Sequence, residues 1–142
     1  MGEGTKDQEQ AIIPMIAFDI TPRDHAAKLA DSSILSTISS QDTNIGVSVN
    51  CASLLPQGLT LANAAYSDTG GATMISPSAS TLTPQPAPDG FLLGDPIIAD
   101  DGKTVLFAIG NGHEEQSATY FIHLRLTFAS SSVVITISIP CR

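Results

Sequence analysis

Histidine is the side chain most often needed for acid–base or metal chemistry near neutral pH, and the chain has three: His25, His113 and His123. His25 stands beside Asp24 and close to Lys28. His113 follows a glycine-rich turn and precedes Glu114 and Glu115, and His123 alternates outward along an apolar strand pattern. No two histidines fall at i, i+4 on a helix or at i, i+2 on one strand face, the spacings that let a pair share a metal ion. The cluster nearest to a ligand set is His113-Glu114-Glu115, and it reads better as a solvated polar turn.

The other chemistry-bearing motifs are incomplete. Asp100-Asp101-Gly102 has the look of a calcium loop without its alternating acidic ligands or closing Glu, and it reads better as a hairpin turn. Gly110-Asn111-Gly112 lacks the third glycine and the strand-to-helix setting of a dinucleotide fingerprint, and no Lys-Ser/Thr completes a phosphate loop. No serine sits in a Gly-x-Ser-x-Gly elbow. Cys51 and Cys141 are too few and too far apart for a disulfide scaffold or a zinc knuckle, so two buried thiols are expected, with one long-range bridge as the alternative. The expectation is that the chain has no catalytic, metal or cofactor-binding residues and needs no cofactor.

Composition narrows the class. The chain has 142 residues, enough for one domain of ordinary size, and a formal net charge of -8 with only 6 Lys+Arg. Phosphate contact needs clustered cations, so nucleic acid is not an expected partner. No apolar run approaches the roughly 20 residues of a spanning helix, and no membrane partner is expected. The opening MGEGTKDQEQ is polar and acidic, unlike a secretory leader, which suggests synthesis in a cytosol without a cleaved signal. Charged residues make up only 14%. The 16 Ser and 13 Thr, with 11 Gly and 9 Pro, supply polarity and turns instead, a mixture that favours strands.

Residues 1–14 carry little to bury and read as an N-terminal arm, followed by a single domain over 15–142. Met15 to Ile20 reads as a strand, Arg23 to Leu29 as one or two helical turns after Pro22, and Ile34 to Ser40 as a further apolar segment. In Ile45 to Asn50, Ile45, Val47 and Val49 alternate with polar or small residues, the period of a half-buried strand. Pro56-Gln57-Gly58 marks a turn, with a short strand starting at Leu59. The segment 67–90 holds Pro77, Pro84, Pro86 and Pro88 among many hydroxyl residues and reads as a long Pro-rich loop.

The last third is the most regular. A strand over Thr104 to Ile109 places Val105, Phe107 and Ile109 on one face. One over Ala118 to Phe128 places Tyr120, Ile122, Leu124, Leu126 and Phe128 together, and one from Val133 to Ile139 runs until Pro140 stops it. These three read as consecutive strands of an antiparallel meander. The fold expected is all-β, an immunoglobulin-like antiparallel β-sandwich. Tyr120 then serves either as a tyrosine tied through its hydroxyl to upstream backbone or as a plain core aromatic.

The run from Asp95 to Ile139 resembles the C-terminal hairpins of a family of small tailed-phage virion proteins, the fiber-tail adaptors. The resemblance is carried by Asp101-Gly102, Thr104 to Ile109, Gly110 to Gly112, Tyr120 to Thr127 and Val133 to Ile139. Upstream, Phe18-Asp19-Ile20, Leu29 to Ile38 and Leu55-Pro56-Gln57-Gly58-Leu59-Thr60 follow the family's order. It implies a non-enzymatic structural virion protein, an adaptor linking tail and fiber in a homo-oligomeric ring. Its partners would be other virion proteins of tail, fiber or capsid, and its place the virion, in the tail rather than the capsid, after assembly in the host cytoplasm. A capsid cement or decoration protein is the structural alternative. A host-surface-binding module and a metal enzyme using His113 or His123 are the readings from other classes.

Overall fold

The structure, a computed structural model, describes residues 15–21, 26–30, 33, 35, 37–38, 44–67, 71–76, 83–87, 90–110 and 117–142. The arm over residues 1–14, His25, and the cluster His113-Glu114-Glu115 lie outside them. Ten strands make up the described fold: β1 (Met15–Thr21), β2 (Ala26–Leu29), β3 (Ile45–Asn50), β4 (Asn63–Tyr66), β5 (Ala72–Ile75), β6 (Gln85–Pro86), β7 (Leu92–Ile98), β8 (Thr104–Ile109), β9 (Thr119–Phe128) and β10 (Ser131–Pro140). Among the described residues there is no α-helix, only a 3-10 turn at Ala52–Leu54.

The strands form one sheet in the order β6-β5-β9-β10-β2-β1-β3-β8-β7. β4 pairs with β9 on the same side as β5, meeting Leu124 to Thr127 while β5 meets Thr119 to Ile122. The sheet curls until β4 lies against β7 at the other end. No backbone ladder closes this seam among the described residues. Side chains span it instead: the Tyr66 hydroxyl donates to the Gly94 carbonyl at 3.0 Å, and the Tyr66 ring stands edge-on to Phe107 at 6.1 Å.

Period-two patterning explains which face is inside. Ile16, Phe18 and Ile20 of β1, Ile45, Val47 and Val49 of β3, and Val105, Phe107 and Ile109 of β8 all point into the curl and are buried. They meet Tyr120, Ile122, Leu124 and Leu126 of β9 and Ile135, Ile137 and Ile139 of β10 in one core. Tyr120 is wholly buried and stacks on Phe91 at 4.6 Å, so the structure seats it as a core aromatic.

The all-β expectation holds, with corrections. The sheet is mixed rather than antiparallel, because β1 runs parallel to β3 and β10 runs parallel to β2. The three-strand meander does not form. β8 pairs with β3 and β7, whereas β9 pairs with β10, β4 and β5, so the chain crosses to the far part of the sheet between them. Ala26 to Leu29 is a strand rather than helical turns: pairing to Thr21, Ile20, Asp19 and Phe18 on β1 gives its backbone hydrogen-bond partners outside the segment, where a single isolated helical turn is not stable. The residues from Leu59 form no strand until Asn63. The Pro-rich segment contains β5 and β6, and Pro140 does not stop its ladder. Its carbonyl accepts from the Ile38 N–H at 3.0 Å, and the Arg142 N–H donates to the Ile38 carbonyl at 2.7 Å. Pro lacks only the donor, so a strand continues where the acceptor is what the neighbour needs.

The Asp100-Asp101-Gly102 turn forms as read. One oxygen of the Asp101 carboxylate accepts from the N–H groups of Lys103 and Thr104, and the other from the Thr104 hydroxyl. These bonds, led by that from Lys103, hold the Asp101 carboxyl below its usual range. Gly102 has φ +71, and a methyl there would come within 2.8 Å of Thr60 Cβ. Gly58 has φ +85 with open space around it. Gly58→Ala is therefore expected to cost about 1 kcal/mol from backbone strain alone, and Gly102→Ala clearly more, as measured by urea unfolding. On β10, Ile137→Ala removes a fully buried side chain and should cost about 2–5 kcal/mol. Val134→Ala on the outer face should cost under about 0.5 kcal/mol.

Candidate functional site

The strand β9 that supplies the largest share of the core also supplies the outer surface with its most varied chemistry. Its outward residues Phe121, His123 and Arg125 succeed one another at the two-residue repeat of a strand. β5 lies beside them with Thr73 opposite Phe121, and β10 flanks them with Thr136 opposite His123 and Val134 opposite Arg125. Together with Ser67, Ile75 and Pro84 these strands enclose a groove of about 540 Å³ on the side of the sheet away from the core.

The groove has a direction. Phe121, Ile75 and Pro84 make one end apolar, and His123, Ser67 and Arg125 make the other polar and cationic, with Val134 standing 40% exposed beside the arginine. Backbone register fixes this gradient, because each step of two residues along β9 moves one place from ring to imidazole to guanidinium. Ser67 is placed by its N–H, which donates to the His123 carbonyl at 3.0 Å.

The sequence expectation for His123 was a residue on the outward face, and the structure puts it there but half-buried between two hydroxyls. Nε2 lies 3.2 Å from Thr73 Oγ1 and Nδ1 lies 3.3 Å from Thr136 Oγ1. A hydroxyl on one imidazole nitrogen is the relation that activates a nucleophile when a carboxylate holds the other nitrogen and stabilises the imidazolium. Here a neutral threonine occupies that place. The arrangement holds the ring in one orientation and makes it part of the groove wall. Among the described residues, no three His, Cys, Asp or Glu side chains gather as a metal would require, and no helix is long and apolar enough to cross a membrane.

Sequence reading singled out His123 but missed Thr73, Ile75 and Pro84, since these lie in the segment taken as loop. The signal available was Ala72-Thr73-Met74-Ile75, a short β-prone run within the proline-rich stretch. What no local pattern showed is that this run pairs with β9.

The cysteines stand apart from the groove. Both are buried thiols that are not joined in a disulfide, as expected. Cys51 begins the 3-10 turn after β3, and burial, aided by the negative charge of Asp101, pushes its thiol up to about 12. Tyr66 at the seam is pushed up to about 12 by burial first and the nearby Asp95 second. Both groups are held protonated by the fold more strongly than in the unfolded chain. Their contribution is fully present below the unfolded values and is lost as pH rises through the folded ones. Stability measured by urea unfolding should therefore fall from about pH 9 towards 12, and Cys51→Ala should flatten the early part of that fall, leaving the part due to Tyr66. Equal slopes for the two proteins would contradict the role given to burial of Cys51.

Comparison with known proteins adds no relative: no family model, no curated protein and no solved structure matches the chain.

Proposed function

We propose that the protein is a non-enzymatic structural subunit that works by protein–protein assembly, an adaptor joining tail and fiber components in the virion of a tailed bacteriophage. The observation that carries the assembly reading is the groove on the outer face of β5, β9 and β10, an apolar trough with a cationic end on a sheet whose core is already complete without it. A second apolar exposure supports it. On β7, Leu93 is 42% and Ile97 60% exposed, beside a register shift in the pairing with β8. Exposed apolar surface of this kind, with Arg125 the one charged side chain among the described residues lining the groove, suits close subunit packing because few charges need desolvation.

The place in a phage tail comes from the resemblance of Asp95 to Ile139 to fiber-tail adaptors. The hairpin turn at Asp101-Gly102, the strand Thr104–Ile109 and the paired strands β9 and β10 are the parts of that resemblance which fall on described elements. The immunoglobulin-like sandwich that it implies finds support in the curl, which sets the inner faces of β1, β3 and β8 against those of β9 and β10. The parallel pairings of β1 with β3 and of β2 with β10 distinguish this sheet from a purely antiparallel one.

The test is electron microscopy of particles made with and without the protein, with the subunit labelled in the complete particle. Tails without fibers in its absence, and label at the tail tip, are the expected result. Label on the head would transfer the protein to capsid decoration, and intact tails with fibers in its absence would sink the adaptor reading.

A further inference from the structure

The groove's gradient has a counterpart in the same chain. Residues 1–14 carry Glu3, Asp7 and Glu9 against the single Lys6, and then turn apolar at Ala11-Ile12-Ile13-Pro14. In an extended segment, Glu9, Ala11 and Ile13 share one side, because alternate residues of a strand do. The groove presents Arg125, His123 and Phe121 at the same repeat. Four residues separate Glu9 from Ile13, and four separate Arg125 from Phe121, so each interval spans about 13 Å of extended chain. A segment of this sequence laid along the groove would set an acidic residue against the guanidinium, a small one against the ring held between Thr73 and Thr136, and an isoleucine against the apolar end formed by Phe121, Ile75 and Pro84.

We propose that the groove is the docking site for residues 1–14 of a second copy of this chain, lying extended with Glu9 at Arg125 and Ile13 at Phe121. The assignment to a second copy follows from reach. Ile13 is two residues from Met15, the first residue of β1, and two residues span at most about 7 Å. β1 is separated from β9 by β2 and β10, three strand spacings or about 14 Å. The register of the strands widens the gap. Phe18 is level with Leu29 on β2 and, through the Thr136 to Ala26 pairing, with Ile139 and Tyr120, so Met15 lies beyond the end of β9. A chain's own Ile13 cannot arrive at its own Phe121 in this register, whereas a neighbour's can.

This deepens the assembly reading and rests on it: arm into groove, repeated head to tail, is a heterologous contact that closes into a ring or runs on as a filament. Affinity comes from the apolar end, and register from the charge at the other.

Charge reversal on the full chain tests it. Sedimentation velocity should show concentration-dependent association of the unaltered protein. Glu9→Arg and Arg125→Glu should each weaken it about tenfold by turning one attraction into repulsion. An equimolar mixture of the two variants should regain association, because each arm then finds a groove of opposite sign only on the other chain. Val134→Asp, an exposed position beside Arg125, should weaken association in the same way, and thermal melting of every variant should show the fold intact. Unchanged association in the two charge variants, or no recovery in the mixture while the double variant recovers, would overturn the proposal, the latter by making the contact internal to one chain. A protein that associates and sits at the tail tip yet ignores these charges would leave the adaptor reading standing and remove this one.

Discussion

Everything in this fold depends on the alternation of β9. It is one of the two longest strands and is paired along both sides for nearly its whole length, with β10 on one flank and β5 and β4 in succession on the other. Its inward set, Tyr120, Ile122, Leu124, Leu126 and Phe128, is the spine of the core, and its outward set builds the groove. The side-chain period of a strand is two, so a slip of one residue would exchange the two sets completely. It would bury an imidazole and a guanidinium and expose five large apolar side chains. Ten backbone pairings to β10, from Ser131 opposite Phe128 to Pro140 opposite Thr119, hold the register against that slip.

That same alternation explains how much of the molecule could be read from its sequence. Strands β1, β3, β8, β9 and β10 announce themselves because each has one face in the core and one outside, and in β3, β8 and β9 the inward residues were the ones named from period alone. Neighbours were not legible. The period tells a strand which way to face and says nothing about which strand lies beside it, so β8 and β9, adjacent in sequence, were taken as paired when they belong to different parts of the sheet. β2 and β5 were missed for a related reason. Ala26-Ala27-Lys28-Leu29 and Ala72-Thr73-Met74-Ile75 are too short for a period to show, and in the first the local preference of Ala, Lys and Leu points to helix. Pairing with β1 and with β9 overrides it. The groove inherits this limit, since its β9 wall was visible and its β5 wall was not.

Closure of the curl sets a different constraint. A ten-stranded sheet has two ends, and an open edge offers its backbone groups to any passing strand. Here β4 and β7 are brought together by packing rather than by a ladder. Tyr66 lies at the centre of the seam, its ring against Phe107 and its hydroxyl on the Gly94 carbonyl. The register shift between Leu93 and Ile97 takes β7 out of regular pairing at this point and turns apolar side chains outward. The seam is thus closed by a few specific contacts. Strands β9 and β10, by contrast, are joined by a continuous ladder of ten pairs, and the groove lies over them.

The scarcity of charge takes on a physical meaning at the groove. Polarity there is provided by Ser67, Thr73, Thr136 and the imidazole they surround, with one guanidinium at the end. Hydroxyls can satisfy one another across small distances and keep a side chain oriented without presenting an ion to be stripped of water when a partner arrives. The desolvation cost of docking is then concentrated in a single cation, and a carboxylate placed opposite it offsets that cost. In a chain whose net charge is -8, a carboxylate is the commonest charged group available, and a cation the scarcest. Placing one of only 6 Lys and Arg residues at the mouth of an apolar trough therefore discriminates strongly: that end of the groove favours an acidic group over a basic one, while its other end favours an apolar side chain.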